Sequence, residues 1–157
     1  MGISFGSASK KPYVGNKEVQ EAYVGSTLVY SAGPGSNYAF LGTADGYYLA
    51  RWCTYENAVI EQISGIYKMK ISGALSNGSL ITLDISALSG YTKLMLTAKA
   101  DGSRSLSVTI DGDRQSKTIT VAEQTVTINI PSGAQTITMA CSTIKGNIWL
   151  NDIYLSN

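Results

Sequence analysis

From Tyr67 onward the chain alternates apolar and polar residues with a period of two. Tyr67, Met69 and Ile71 alternate with Lys68, Lys70 and Ser72. Ile81, Leu83 and Ile85 alternate with Thr82 and Asp84. The same pattern runs through Leu94, Leu96 and Ala98; Leu106, Val108 and Ile110; Ile119 and Val121; Val126, Ile128 and Ile130; and Ile137, Met139 and Cys141. A period of two with one apolar face predicts half-buried strands of an antiparallel sandwich. Asn77-Gly78, Asp101-Gly102, Asp111-Gly112 and Pro131-Ser132-Gly133 separate the runs as turn signals. No long segment carries a helical period, and Asp84 to Gly90 has room for a short helical turn at most. The last strand holds two apolar pairs in opposite phase, Ile148 with Leu150 and Ile153 with Leu155. A one-residue bulge near Asn151-Asp152 turns both pairs toward the core and leaves Trp149 and Tyr154 pointing outward.

The front of the chain is organised differently. Pro12-Tyr13-Val14-Gly15-Asn16 is followed by Ala22-Tyr23-Val24-Gly25-Ser26, an internal repeat with Val19 and Val29 also in correspondence. Each copy reads as strand, turn, strand. Gly15-Asn16 and Gly25-Ser26 are two-residue hairpin signals, since Gly in the first central position suits a type II′ turn. Small hairpins are marginal alone in water. Tyr13, Val14, Tyr23, Val24, Leu28 and Tyr30 therefore need a surface to bury against: the following domain, another subunit or another protein. Assembly is the reading adopted, and added strands on the chain's own sandwich are the plainer one. Ser31 to Asn37 reads as a linker. The expected organisation is an attachment arm at 1–31, a linker at 32–37 and an all-β antiparallel jelly-roll sandwich at 38–157.

Composition narrows the function. The chain has 157 residues, 44% of them hydrophobic and 15% charged, with a net charge of +1. Enough apolar surface is present to offset chain entropy. Lys10-Lys11 is the one basic pair, so no clustered cationic groove for nucleic acid is visible. No apolar run approaches membrane-spanning length. Met1 to Lys11 lacks an apolar stretch of signal-peptide length, so the expectation is synthesis in a cytoplasm and release by lysis.

Catalysis is not expected. With no histidine, Ser-His-Asp and Cys-His arrangements are impossible and zinc sites of the usual kind are excluded. Asp45, Asp101, Asp111 and Asp113 are explained better by turn geometry than by paired-carboxylate hydrolysis. Cys141 falls in phase with core positions, and spacing leaves open whether it bonds Cys53. The cluster Tyr47, Tyr48, Arg51, Trp52 and Tyr55 is the candidate glycan-binding stretch. Sugar rings stack on flat aromatic faces while neighbouring polar groups bond their hydroxyls. The plainer reading places alternate members such as Tyr48, Ala50 and Trp52 in the core. Tyr91 and Trp149 are further candidates for exposed aromatics.

Two resemblances add to this. The repeats at Lys11 to Val19 and Ala22 to Tyr30 resemble Tyr-Val-Gly repeats of virion proteins in the tails, baseplates and head appendages of phages and prophages of Gram-positive bacteria. That resemblance implies a virion structural protein, either a tail or baseplate component or a capsid decoration. It would be localised in the virion and partnered by other virion proteins or by copies of itself. The ending Gly146-Asn147-Ile148-Trp149-Leu150-Asn151-Asp152-Ile153-Tyr154-Leu155 resembles galactose-binding-like jelly rolls, the fold of many carbohydrate-binding modules. Leu83 to Ser86 and Val126 to Pro131 fit the same scheme. This implies a displayed domain that binds host-surface or mucin-type glycans, with a free-standing bacterial carbohydrate-binding module as the alternative. It also implies that an acidic residue matching Asp152 helps hold a structural calcium, with Asp45, Glu56 and Glu61 as partners by position. A polar residue at a bulge is the better account of Asp152. No other cofactor is expected.

Overall fold

The computed structural model describes residues 37–157 in full and, before them, the backbone of four short strands. Those strands are β1 (Tyr13–Val14), β2 (Lys17–Glu18), β3 (Glu21–Val24) and β4 (Thr27–Ser31). β1 pairs with β2 and β3 with β4, each as a separate antiparallel ribbon. Val14 faces Lys17 and Val24 faces Thr27, so two residues separate the strands in each copy of the repeat. The side chains of Tyr13, Val14, Tyr23, Val24, Leu28 and Tyr30, on which the attachment reading depends, lie outside the described residues.

Asn37–Asn157 forms one compact unit, an antiparallel sandwich of two sheets. Its strands are β5 (Tyr38–Gly42), β6 (Tyr47–Leu49), β7 (Cys53–Glu56), β8 (Val59–Ile63), β9 (Ile66–Ser72), β10 (Leu80–Asp84), β11 (Lys93–Ala100), β12 (Arg104–Ile110), β13 (Asp113–Ile119), β14 (Gln124–Asn129), β15 (Thr136–Cys141) and β16 (Asn147–Ser156). One sheet runs β13-β12-β15-β10-β7. The other runs β14-β11-β16 and then divides: the first half of β16 pairs with β9, which pairs with β8, and the second half pairs with β5, which pairs with β6.

The alternation predicts the core. Met69, Ile71, Ile81, Leu83, Leu94, Leu96, Leu106, Val108, Ile137, Met139, Ile148, Leu150 and Ile153 are fully enclosed between the sheets. Each such large aliphatic contributes about 1.5–3 kcal/mol of burial. Val121 departs from its expected phase: the strand ends at Ile119, and Val121 stands 67% exposed in the turn before β14.

The bulge falls at one residue. Thr97 pairs with Asp152 and Ala98 with Leu150, so Asn151 is the extra residue on β16. It resets the pleat, and Ile148, Leu150, Ile153 and Leu155 all face inward. Gly42 makes the neighbouring division of the sheet feasible. A Cβ there would stand 1.6 Å from the Tyr67 carbonyl oxygen, so only glycine lets β5 pass so close to β9. The β12–β13 hairpin turns on Asp111 and Gly112, with φ of 48° and 98°. Two positive φ values make this a type I′ turn, the one that Asp-Gly favours.

Cys53 and Cys141 carry free, buried thiols. They lie on β7 and β15 with β10 between, strands about 10 Å apart, and Cys53 is level with Ile137, four residues along β15 from Cys141. A disulfide needs Cα atoms within about 7 Å, so this pair does not bond.

Candidate functional site

The aromatic stretch chosen from sequence is not one surface. Tyr47 and Tyr48 belong to β6 in the seven-stranded sheet, whereas Tyr55 lies on β7 at the edge of the five-stranded one. Arg51 and Trp52 form the turn that crosses between the sheets. Arg51 is exposed, and Trp52 is partly buried against the core. Tyr47 is half exposed and tilts against Phe40 and Tyr67, with ring centroids 6.0 and 5.9 Å away. Tyr48 pairs in register with Leu41, whose strand neighbour Phe40 faces the core. The pleat thus places Tyr48 on the outer side of β6, where it is partly buried and still packs in part against the core.

That outer face gathers the most distinctive polar and aromatic side chains. Two rows cross it. In the first, Val59, Lys70, Trp149 and Lys99 stand side by side on β8, β9, β16 and β11. In the second, Thr127, Met95, Tyr154 and Tyr38 stand on β14, β11, β16 and β5. Their neighbours Met69, Ile71, Leu94, Ile148 and Leu155 are core residues, so the pleat sends both rows outward. Cross-strand partners on one face have Cβ atoms about 4.5–5.5 Å apart, close enough to build a continuous surface.

Trp149 is fixed in place. Its Nε1–H donates to Glu61 Oε1 at 2.7 Å, and Lys70 Nζ donates to Glu61 Oε2 at 3.3 Å. Glu61 sits on β8, two strands from β16, so one carboxylate locks the indole and the ammonium of the intervening strand. The Trp149 hydrogen bond, aided by Lys70 and opposed by partial burial, holds the Glu61 carboxyl below its ordinary range. The second platform is also ordered: Tyr38 and Tyr154 stack with ring centroids 5.1 Å apart.

Between the rows lies a polar middle. Lys68 on β9 is almost wholly buried and pairs with Glu123, just ahead of β14. The two meet above β16 and β11. Asn151 Nδ2 donates to Asp152 Oδ1 at 3.0 Å, and Asn151 Oδ1 is buried without a partner. An amide oxygen left this way costs about 1–3 kcal/mol, so the bulge is held at a cost in hydrogen bonding.

The calcium expectation finds no support from these residues. Asp152 is occupied by the Asn151 amide, and Glu61 by Trp149 and Lys70. Among the described residues no three acidic, cysteine or histidine side chains converge as a metal would need. Asp45 and Glu56 stand exposed on separate segments. The donor set therefore does not fit calcium.

No family model and no curated protein matches the chain. Its fold does have solved counterparts. A family 29 carbohydrate-binding module superposes with a TM-score of 0.52 at 12% identity, covering 76% of this chain and 89% of that one. This chain folds as a jelly-roll sandwich of the kind found in carbohydrate-binding modules. A family two carbohydrate esterase from Cellvibrio japonicus gives 0.54 at 12% identity, covering 76% of this chain and 34% of that one. The family two esterase from Clostridium thermocellum, solved with cellohexaose, gives 0.51 at 13% identity, with 66% and 31% covered. This chain spans about a third of the esterase chains that it matches.

Trp149 and Tyr154 both point outward, as the two phases of β16 predict. The signal that could have found the face was the bulge, which puts both aromatics of one strand on the same outer surface.

Proposed function

We propose that this chain binds an extended glycan without transforming it, on the outer face of its seven-stranded sheet. The observation that carries this reading is Trp149, an indole outside the core whose ring nitrogen is tied to Glu61 at 2.7 Å. An aromatic plane held at fixed orientation offers a sugar ring an apolar face to stack on, with little ordering cost at binding. Trp149 and Tyr154 lie five residues apart on β16, roughly 15 Å at the usual strand rise. The exposed carboxylate of Glu123 and the partly exposed Asp152 supply hydrogen-bond acceptors between them. A chain of several sugars spans this layout better than a single sugar does. Tyr48 extends the surface toward β6, and it is the one member of the sequence-chosen cluster that the face includes.

The test is a panel of soluble oligosaccharides of increasing length, titrated calorimetrically against the full chain. Affinity should rise with length and fall at least tenfold in Trp149→Ala, measured well below the melting temperature of that variant so that a loss of fold is not read as a loss of binding. Binding that ignores Trp149 would overturn the proposal.

A second reading concerns the front of the chain. The two Tyr-Val-Gly copies each pair as their own two-stranded ribbon, β1 with β2 and β3 with β4, and such ribbons need an outside surface. On this reading residues 1–31 attach the sandwich to a larger assembly such as a phage virion, or to further copies of the chain. Light scattering of the full chain beside a 32–157 truncation tests it. Loss of assembly on truncation supports attachment, and two monomers of equal behaviour refute self-assembly.

A further inference from the structure

Resting on the glycan-binding reading, we infer that the sugar stacked on Trp149 carries an anionic group, a carboxylate or a sulfate ester, received by Lys99. The charges on the outer face are nearly all taken. Lys70 is paired with Glu61, and Lys68 with Glu123. Lys93, at the far end of β11, donates to the Asn157 carbonyl oxygen at 2.9 Å. Lys99 forms no ion pair among the described residues, and it stands directly beside Trp149 in register.

The asymmetry about Trp149 matters. On the β9 side the indole meets Lys70, already neutralised by the same carboxylate that holds the ring. On the β11 side it meets an unneutralised ammonium. The three other carboxylates near it do not quench it: Asp101, two residues on, is taken by Arg104 and Asn147. Glu123 is committed to Lys68, and Asp152 accepts from the Asn151 amide beyond the bulge. A sugar lying on the indole excludes water from the Lys99 side as well. A negatively charged substituent pointing there gains a charge-assisted hydrogen bond of the stronger kind. A neutral hydroxyl would leave the ammonium partly desolvated with a poorer acceptor.

The experiment titrates the full chain with polygalacturonate for the carboxylate source, chondroitin sulfate for sulfate with carboxylate, and cellohexaose and neutral galactan as uncharged probes, at low and high salt. The expected result is tighter binding to one or both anionic polymers, weakened by salt, with Lys99→Met reducing that affinity about tenfold and removing the salt dependence. Lys117→Met, on the other sheet, is the control for lost net charge and should leave binding unchanged. Which polymer responds distinguishes carboxylate from sulfate. Equal or better binding to the neutral probes, with Lys99→Met silent, overturns this inference and leaves glycan binding standing. No binding to any probe overturns both.

Discussion

The Trp149 indole N–H points at the Glu61 carboxylate from two strands away, and Lys70 on the strand between them grips the same carboxylate. Two residues, on β16 and β9, thus share the one carboxylate that β8 supplies. The arrangement ties ring orientation to the charge of a single group. Glu61 is held below the ordinary carboxylate range, so its contribution is present above the unfolded value near about 4.3. It disappears as pH falls through the lower folded value. Glycan affinity should be flat from neutral pH down past the ordinary carboxylate value of about 4.3 and drop only as pH falls through the lower folded value, while Glu61→Gln, which keeps an acceptor oxygen but cannot titrate, should bind with a flat profile. Calorimetry across pH checks this, and identical profiles would detach Glu61 from the platform.

Lys68 and Glu123 should respond unequally to mutation. Lys68 is 7% exposed at its side chain and Glu123 49%. Removing the carboxylate with Glu123→Gln leaves an almost buried ammonium unpaired, whereas Lys68→Met removes the desolvated charge itself. Chemical denaturation should show Glu123→Gln clearly less stable than Lys68→Met. Equal losses would mean that Lys68 finds water or another acceptor.

Gly42→Ala should be among the most damaging single-methyl additions in the sandwich. The new Cβ would collide with the Tyr67 carbonyl, and that backbone is held by the hydrogen bond from Tyr67 N to the Thr43 carbonyl at 3.0 Å. The expected loss is about 3 kcal/mol or more, read as a drop in melting temperature. Gly46→Ala, with open space around its Cβ, is the matched control and should cost little.

Both thiols should be inert in the folded protein. Burial pushes the Cys53 thiol up to about 12, so almost no thiolate exists at neutral pH. Alkylation with iodoacetamide should proceed only under denaturing conditions, and mass spectrometry should find no disulfide in the native chain.

Much of the sandwich was legible in the chain itself. Alternation at Met69, Leu83, Leu96, Val108, Ile128 and Met139 placed each on the inner side, because a strand buries every second residue and one-residue slips are costly. The two opposed apolar pairs of β16 even required the bulge that Asn151 provides. Val121 was misplaced because a period of two carries no mark of where a strand stops.

The fold regroups the aromatic candidates, for a physical reason. Tyr47, Tyr48, Trp52 and Tyr55 are close in sequence, yet the chain passes from one sheet to the other within that stretch and scatters them. Conversely, Glu61, Lys70, Lys99 and Trp149 are far apart in sequence and meet only through strand pairing. Local pattern determines which side of a strand a residue takes. Which strands lie next to each other, and so which side chains share a surface, is decided by long-range hydrogen-bonded pairing and closure of the core.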